Sequence, residues 1–428
     1  MKPPRAAIVS IGEELLQGRI RDGNAAHFAA VLLRMGVLVR RFFTVGDEPG
    51  ALPGLLEELR GSWELVLTTG GLGPTADDRV RAEVAALLGV PLAEIEGAAP
   101  PLEALWRRQF PGTPPPAHFL AQALVPRGAR PLRNRCGTAW GFACDLGCTR
   151  LLCLPGPPGE CQAAFEEGGG REEVEELLPA AGRPALGTFH ASGVTESQVE
   201  GRIRDLMERA GNPRLGIVAG VRRVTVSVMA LPEGGRSAGE ILEEAARELH
   251  DRLGGMLWGR DGETLEAVVV ELLARRGERV ALAESCTGGR LAARLTSVPG
   301  ASRVFGHGWV TYADEAKIRE LGVSGDLLRK HGAVSREAAA AMAAAARRKA
   351  GSDWALSVTG IAGPDGGSLE KPVGLVFLGL AGPEGVRTLR RRQYARSGRI
   401  LVQEQSVRDG LETLRRALLG LEPLPDRG

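Results

Sequence analysis

The chain has few aromatic residues, no long apolar run and almost no net charge. Only 4% of its 428 residues are aromatic, and the formal net charge is +2. No apolar run approaches the ~18 residues of a membrane-spanning helix, so we expect no membrane contact. The start, MKPPRAAIVS, leads directly into a strand without the pattern of a signal peptide, which predicts a cytoplasmic protein. The small net charge gives no strong nucleic-acid footprint.

Cysteine is sparse and lacks metal-binding spacing. Five of the six cysteines fall between Cys136 and Cys161, no pair has the C-x-x-C spacing, and no histidine lies among them. We therefore expect reduced thiols packed as small apolar side chains rather than a structural metal site.

Two common catalytic loops are also missing. The sequence contains neither G-x-x-x-x-G-K-[ST] nor G-x-S-x-G, which excludes a P-loop enzyme and an ordinary α/β-hydrolase. Glycine, in contrast, is plentiful at 59 residues, and the length predicts about three domains. Strands alternate with helices in the first and last thirds of the chain, a pattern that predicts α/β domains with parallel strands.

In the first third, polar residues follow three predicted strands. The strand ends carry Gly12-Glu-Glu14, Asp47 and the segment TTGGLGPTADD. In that segment the glycines can wrap a phosphate with their N–H groups, and two aspartates supply the hard oxygen ligands that Mg²⁺ or Mn²⁺ uses beside phosphates. The residues concerned are Gly70, Gly71, Gly73, Asp77 and Asp78. The alternative is a turn followed by an acidic helix start, where aspartate is favoured by the helix dipole.

The middle segment carries no catalytic constellation. Thr195 with Gln198 three residues later fits a capping box at the start of a helix, and Val224–Leu231 alternates as a strand does. We interpret this segment as a small α+β connector with a structural role.

The last third is organised around AESCTGG, which lies between an apolar strand and a helix. Ser285 and Cys286 occupy the turn, where a nucleophile is exposed. Gly288 and Gly289 leave the N–H groups of the helix start open to a phosphate or an oxyanion. The alternative is that the serine only caps the helix. A second glycine-rich strand end carries Thr359 and Gly360.

The N-terminal motifs IGEELLQG, TTGGLGPTADD, NRCGTAWGF and LPGPPGE resemble, in this order, the first domain of the CinA family. The resemblance implies a molybdopterin-binding-like domain at 1–180 with ADP-ribose pyrophosphatase activity, dependent on a divalent metal such as Mg, Mn or Co. Its site residues are Glu14, Asn24, Asp77 and Asp78. The chain departs from the family pattern at three positions. The family has Thr where this chain has Glu13 and Val80, and Pro where it has Trp140.

The C-terminal motifs AESCTGG, GHGWVTYADEAK, HGAVS, SVTGIAGPDGG and EKPVG are similar to the last CinA domain. That resemblance implies a nicotinamide-nucleotide amidohydrolase at 261–428, which converts NMN to nicotinate mononucleotide and ammonia without a metal in pyridine-nucleotide salvage. The segment 181–260 matches the family's middle domain. The resemblance also implies a homodimer.

The resemblance gives each C-terminal candidate a role. Ser285 matches the nucleophile, Lys317 is the candidate base, and Tyr312 relays a proton or holds the intermediate. Thr359 and the amides of the two glycine turns bind the 5′-phosphate or the oxyanion, and Arg399 suits a bidentate phosphate contact. Cys286 remains a rival nucleophile, because thiolates need less activation.

Two other functions stay open from the sequence. One is a non-catalytic nucleotide sensor or scaffold in DNA uptake and recombination, as the family's link to competence suggests. The other is an active amidase joined to an N-terminal site that has decayed at Glu13 and Val80.

Overall fold

The computed structural model describes residues 3–178, 183–209, 211–393 and 398–427. The chain divides into two compact units. The first contains Met1–Ala185 and Leu231–Gly239, and the second contains Leu186–Ala230 and Glu240–Gly428. No helix in the described ranges is both long and apolar enough to cross a membrane. All six cysteines are free, and four of them are buried: Cys144, Cys153, Cys161 and Cys286.

A six-stranded mixed sheet forms the centre of the first unit, in the order β2-β1-β3-β8-β7-β6. The first four of these strands are parallel, and β7 and β6 continue the sheet antiparallel. The strands of this unit are β1 (Arg5–Ile11), β2 (Leu38–Val45), β3 (Leu65–Thr69), β4 (Leu92–Glu94), β5 (Leu124–Pro126), β6 (Arg130–Leu132), β7 (Gly141–Leu146) and β8 (Thr149–Leu154). Strands β4 and β5 form a separate antiparallel pair.

Helices cover both faces of this sheet because its central strands are apolar on both faces. Along β1, Ala7 and Val9 join one buried cluster, while Ala6 and Ile8 join the other. The helices are α1 (Glu13–Leu16), α2 (Gly23–Met35), α3 (Ala51–Leu59), α4 (Val80–Leu88), α5 (Ala99–Gln109), α6 (Ala117–Leu120), α7 (Pro158–Glu166) and α8 (Gly170–Glu175). The sequence patterns predicted α2, α3 and the β7–β8 hairpin but not α5, α6 or β4 to β6.

The predicted α+β connector is a four-stranded sheet in the order β10-β11-β9-β12 with two helices. Its elements are β9 (Ala185–Ala191), α9 (Glu196–Glu208), β10 (Arg214–Gly220), β11 (Arg223–Ala230), α10 (Ala238–Leu253) and β12 (Leu257–Arg260). The Thr195–Gln198 capping box is confirmed, with both reciprocal hydrogen bonds present.

The rest of the second unit is a five-stranded sheet in the order β14-β13-β15-β16-β17, of which β14, β13 and β15 are parallel. Its strands are β13 (Val280–Glu284), β14 (Phe305–Val310), β15 (Trp354–Gly360), β16 (Leu375–Gly382) and β17 (Gly385–Arg392). The helices are α11 (Leu265–Arg276), α12 (Arg290–Thr296), α13 (Asp314–Ala316), α14 (Gly325–His331), α15 (Arg336–Ala350) and α16 (Arg399–Leu418). A π-helical turn, Lys317–Leu321, follows α13 directly.

Side-chain size decides which helix covers which face of this sheet. Ala281 and Ala283 of β13 face the alanine-rich α15, so helix and sheet approach closely. Leu282 faces the opposite side, where α11, α12 and α16 pack. The cap Ser335 and the C-terminal Gly351 of α15 are both as predicted.

Helix α16 also joins the connector to this sheet through buried charges. Asp409 accepts two hydrogen bonds of 2.9 Å from Arg391, and Arg222 of the connector lies 3.7 Å from the same carboxylate. One turn further on, Arg415 pairs with Glu412 and donates to the carbonyl of Gly255. Charges this deeply buried need such partners, so α16 is fixed at several points along its length.

Candidate active sites

Three parallel strands bring the predicted C-terminal residues to one edge of the sheet. Ser285 follows β13 directly, and its N–H donates to the carbonyl of Val358 in β15 at 2.9 Å. On the other side, the N–H of Thr311 after β14 donates to the carbonyl of Glu284 at 2.8 Å. Ser285 is 7% exposed. Its neighbours across the strands are therefore Thr311 and Thr359, as expected at the carboxyl edge of parallel strands.

A buried carboxylate that sequence reasoning missed shapes the nucleophile turn. Glu284 is fully buried and accepts from the N–H groups of Gly289, Leu291 and Ala292 at 2.8–3.1 Å. The N-terminus of α12 is thus capped by this chain's own carboxylate. The acidic residue directly before Ser285 in AESCTGG was the available signal.

This cap requires a correction to the expected role of the glycines. The N–H of Gly289 is taken by Glu284, and that of Gly288 donates to the carbonyl of Ser285 at 3.0 Å. Neither glycine offers a free amide to a phosphate or an oxyanion. In the described part of the chain the N–H groups of Cys286 and Thr287 donate to no other residue, and they directly follow the candidate nucleophile, where oxyanion donors are usual.

Helix α16 holds the same turn from the other side. Gln403, which is 8% exposed, donates from Nε2 to the carbonyl of Cys286 at 2.8 Å and accepts from Arg290 at 2.9 Å. Gln403 lies four residues after Arg399, so both side chains leave the same face of α16. Sequence reasoning missed Gln403, since a glutamine inside a long helix carries no signal of its own.

Lys317 is buried rather than solvated. It is 1% exposed, and its Nζ lies 3.2 Å from the carbonyl of Tyr312, 3.5 Å from that of Ala313 and 3.3 Å from Oδ1 of Asp314. Three acceptors match the three N–H groups of an ammonium ion. A lysine held by these contacts has to leave them before it can reach a nucleophile.

Tyr312 and Arg399 are hydrogen-bonded to each other near this edge of the sheet. Arg399 donates to the hydroxyl of Tyr312 and, at 2.7 Å, to the carbonyl of Gly363 in the SVTGIAGPDGG loop. Tyr312 is 58% exposed. The guanidinium thus lies in an accessible position next to a phenol, where a phosphate can reach it.

Thr359 and Gly360 occupy structural positions. Thr359 is 1% exposed, and its hydroxyl donates to the carbonyl of Ala333 at 2.7 Å. A Cβ on Gly360 would lie 2.7 Å from the carbonyl oxygen of Leu375. Lys371 fixes the same region by donating to the carbonyl of His331 at 2.7 Å. The contacts of Thr359 and Gly360 support the loops that frame the site, and their role in binding substrate stays a prediction.

The rival nucleophile Cys286 lies in an unfavourable environment. Burial raises the pKa of its thiol to about 12, an effect that Glu284 adds to and that Arg399 and Lys317 oppose. The thiolate is therefore scarce near neutral pH. Lys317 and Arg399 are placed near this turn by Tyr312, since both contact it and the preceding Thr311 donates to the carbonyl of Glu284, directly before Ser285.

In the first unit, the ends of β1, β3 and β8 also meet at one edge. The N–H of Gly70 donates to the carbonyl of Leu154 at 3.0 Å, so this amide is not available to a phosphate. A Cβ on Gly70 would lie 2.3 Å from the carbonyl oxygen of Ile11, which explains the glycine. The N–H groups of Gly71 and Gly73 make no hydrogen bond to another described residue. Asn24 donates to the carbonyl of Gly156 at 2.8 Å and holds the LPGPPGE loop.

The carboxylates of this edge share one electrostatic environment. The pKa of Asp47 is raised, first by desolvation and then by the charges of Glu14, Asp77 and Asp78. Among the described residues, however, no three potential ligand side chains converge closely enough to form a ready metal site. Asp78 accepts a hydrogen bond of 2.9 Å from the N–H of Thr75. Such a set suits a hard cation that keeps waters and substrate phosphates as its other ligands.

Two of the departures from the family pattern have clear structural places. Val80 is 2% exposed, and its N–H donates to the carbonyl of Gly71 at 3.2 Å. Glu13 donates its N–H to Asp47 at 3.0 Å and accepts from Gln17. Neither replaces a carboxylate of the predicted metal set.

Fold and sites together define a multidomain α/β protein. Residues 7–171 match the family described as "Probable molybdopterin binding domain", residues 187–259 match "Damage-inducible protein CinA KH domain", and residues 262–418 match "CinA C-terminal domain".

The similarity extends over the whole chain. A "CinA-like protein" from Desulfovibrio desulfuricans is 40% identical over 422 residues, which is 97% of each chain. Another "CinA-like protein", from Anaeromyxobacter, is 40% identical over 97% of this chain and 100% of its own. The chain belongs to the CinA family. A solved structure, competence/damage inducible protein CihA from Agrobacterium tumefaciens, is 42% identical and covers 36% of this chain and 93% of its own, with a TM-score of 0.35.

Proposed function

We propose that the protein is a bifunctional nucleotide hydrolase. Its C-terminal site deamidates nicotinamide mononucleotide to nicotinate mononucleotide and ammonia. Its N-terminal site cleaves ADP-ribose with the help of a divalent metal. The observation that carries the first activity is the buried Lys317, whose Nζ contacts the carbonyl of Tyr312, next to the Thr311 that is hydrogen-bonded to the residue before Ser285. A buried lysine near a candidate nucleophile is typical of a catalytic pair.

In the C-terminal reaction, Ser285 Oγ attacks the carboxamide carbon while Lys317 accepts its proton. The resulting oxyanion is stabilised by the N–H groups of Cys286 and Thr287, a contribution commonly worth about 3 kcal/mol per donor. The C–N bond then breaks, and the proton returned by Lys317 leaves with ammonia. A water molecule hydrolyses the ester on Ser285 and yields the carboxylate product.

Arg399 and Tyr312 bind the substrate in this proposal. The guanidinium of Arg399 carries the positive charge that a 5′-phosphate needs, and it is already oriented by the carbonyl of Gly363. Tyr312 is exposed enough to contact the pyridine ring or to pass a proton.

For the N-terminal reaction, Asp77, Asp78 and Glu14 are the residues that would hold Mg, Mn or Co. The fit rests on the chemistry of this donor set, because all three side chains offer hard carboxylate oxygens. They also act together on Asp47, whose pKa is raised first by burial and then by the charges of Glu14, Asp77 and Asp78. The metal supplies charge neutralisation of the pyrophosphate. Asp77 is exposed and would be within reach of such an ion. The backbone of Gly73 lies close to the carboxylate of Asp78, since a Cβ on Gly73 would lie 2.5 Å from its Oδ2.

The experiment is an assay of purified full-length protein against NMN and ADP-ribose, each with and without EDTA. Ammonia release from NMN that persists in EDTA, together with ADP-ribose cleavage that stops, supports both assignments. Binding of both nucleotides without turnover would instead favour a nucleotide sensor or scaffold. The homodimer also remains a proposal, which sedimentation of the same preparation tests.

A further inference from the structure

Arg81, in the first turn of α4, is a buried arginine without a carboxylate partner. It is 4% exposed, and within the described ranges its one hydrogen bond, of 3.2 Å, runs from Nη2 to the carbonyl of Trp140. Its Nε is buried and has no hydrogen-bond partner. Among the described residues no carboxylate forms an ion pair with it. Arginine is almost never buried in this way unless it is paired, so the free protein leaves a buried guanidinium with no ion-pair partner at contact distance and with an unused donor.

Burial and the helix N-terminus both disfavour the positive charge of Arg81, and Asp78 favours it. Burial lowers the pKa of Arg81 to about 10, against the favourable charge of Asp78, and the group still stays protonated near neutral pH. Cys153 lies nearby, but burial raises the pKa of its thiol well above the usual value, so it supplies no negative charge. Arg81 also stands at the N-terminus of α4, the end of a helix that favours anions and disfavours cations.

Arg81 lies at the same edge of the sheet as the TTGGLGPTADD turn, since the N–H of the preceding Val80 donates to the carbonyl of Gly71. Trp140, whose carbonyl it contacts, directly precedes β7 and lies beside the carboxyl end of β8, because Phe142 pairs with Cys153. The end of β8 is also where Leu154 accepts from Gly70 of the TTGGLGPTADD turn. Trp140, though not Arg81 itself, lines an open groove that also carries Arg108 and Arg133, so space for a ligand and further positive charge lie next to the residue whose carbonyl Arg81 contacts.

We propose that Arg81 is an anion-binding residue of the N-terminal site, which takes a phosphate or pyrophosphate group of the nucleotide substrate. The proposal deepens the pyrophosphatase assignment and rests on it for the identity of the substrate. The planar guanidinium donates from its unpartnered nitrogens to phosphate oxygens, and the ligand completes the charge balance that the free protein lacks.

The test is isothermal titration of full-length protein with inorganic pyrophosphate and with ADP-ribose, in EDTA so that no metal contributes. Arg81→Met should weaken pyrophosphate binding at one site per chain by 30-fold or more, on the order expected for losing charged hydrogen bonds. Arg81→Lys keeps the positive charge but loses the planar, bidentate guanidinium, and it should weaken pyrophosphate binding by about tenfold. The matched control is Arg79→Met, since Arg79 is exposed and two residues away.

Melting of the ligand-free variants separates this role from a structural one. Arg81→Met should melt no lower than wild type, because it removes an uncompensated buried charge, and pyrophosphate should no longer raise its melting temperature. A structural role predicts lower melting for Arg81→Met and unchanged pyrophosphate affinity for Arg81→Lys, and that result would overturn the proposal. Pyrophosphate binding that depends on Arg81 without any ADP-ribose cleavage would refute the proposed hydrolase activity and leave the anion site standing.

Discussion

The two candidate sites share one plan and differ in how their reactive groups are held. Both lie where a parallel strand ends, passes through a glycine-rich turn and enters a helix. In the C-terminal site the reactive residues are buried, and the turn is fixed by Glu284 and Gln403. In the N-terminal site the carboxylates are mostly exposed, and the buried charge nearby, Arg81, is unpaired. The C-terminal site is thus held by contacts within the chain, whereas under the proposed function the N-terminal site would be completed by a cation and a phosphate.

The largest expected effect concerns the catalytic pair of the organised site. Replacing Lys317 by Met should lower kcat for NMN deamidation by ~10²–10⁴-fold, because general-base catalysis is lost. Residues that act as a unit are strongly non-additive, so Ser285→Ala combined with Lys317→Met should be little worse than either change alone. ADP-ribose cleavage by the same preparation is the internal control. Wild-type kcat in Lys317→Met would move the search for a base to Tyr312.

The next effect concerns the N-terminal site, for which we propose a divalent metal. Asp78→Asn should reduce metal-stimulated ADP-ribose cleavage by about two orders of magnitude, since metal catalysis contributes several kcal/mol. NMN deamidation should persist in the same sample. Loss of both activities with an intact circular dichroism spectrum would show that the two sites are not independent. If wild type shows no cleavage with Mg²⁺, Mn²⁺ or Co²⁺, the N-terminal site has decayed.

A smaller effect is expected from the residue that positions the nucleophile turn. Gln403→Met removes the donor to the carbonyl of Cys286, and it should lower kcat for NMN roughly tenfold with KM unchanged, the scale of one buried hydrogen bond. Glu404→Gln, on the next residue of α16, changes only the partly exposed pairs with Arg290 and Arg294 and is the control. Equal losses in both variants would assign the effect to α16 as a whole rather than to the turn.

The smallest effect is expected from Asp314, whose carboxylate lies 3.3 Å from Nζ of Lys317. Asp314→Asn removes one charged contact of the lysine and leaves its carbonyl contacts in place. Because the carboxylate is half exposed, the pair should be worth only ~0.2–1 kcal/mol, so kcat for NMN should change by no more than about fivefold. A loss as large as that of Lys317→Met would show that Asp314 does more than hold the lysine.

The sequence predicted the strands and turns of both sites, because apolar periodicity and glycine-rich turns are local signals. Ser285, Lys317 and Thr359 do come to one edge of the sheet, as strand order requires. Periodicity could not predict that Glu284 would use the amide of Gly289, since that hydrogen bond depends on how α12 turns back over β13.

Burial of polar side chains was the other feature that lay beyond the sequence. Lys317 and Arg81 look like ordinary helix charges in the sequence, and both are nearly inaccessible in the fold. Gln403 contacts a turn 117 residues earlier in the chain. Such contacts are set by tertiary packing, for which one sequence gives no periodic signal.

The nucleophile of the C-terminal site is the central claim, and one measurement addresses it directly. Ammonia release from NMN is followed in EDTA for wild type, Ser285→Ala and Cys286→Ala. We expect activity in wild type and in Cys286→Ala, because burial raises the pKa of the Cys286 thiol to about 12 in the wild-type protein. We expect no activity above background in Ser285→Ala. An active Ser285→Ala with an inactive Cys286→Ala, or a wild-type enzyme silenced by EDTA, would contradict the account.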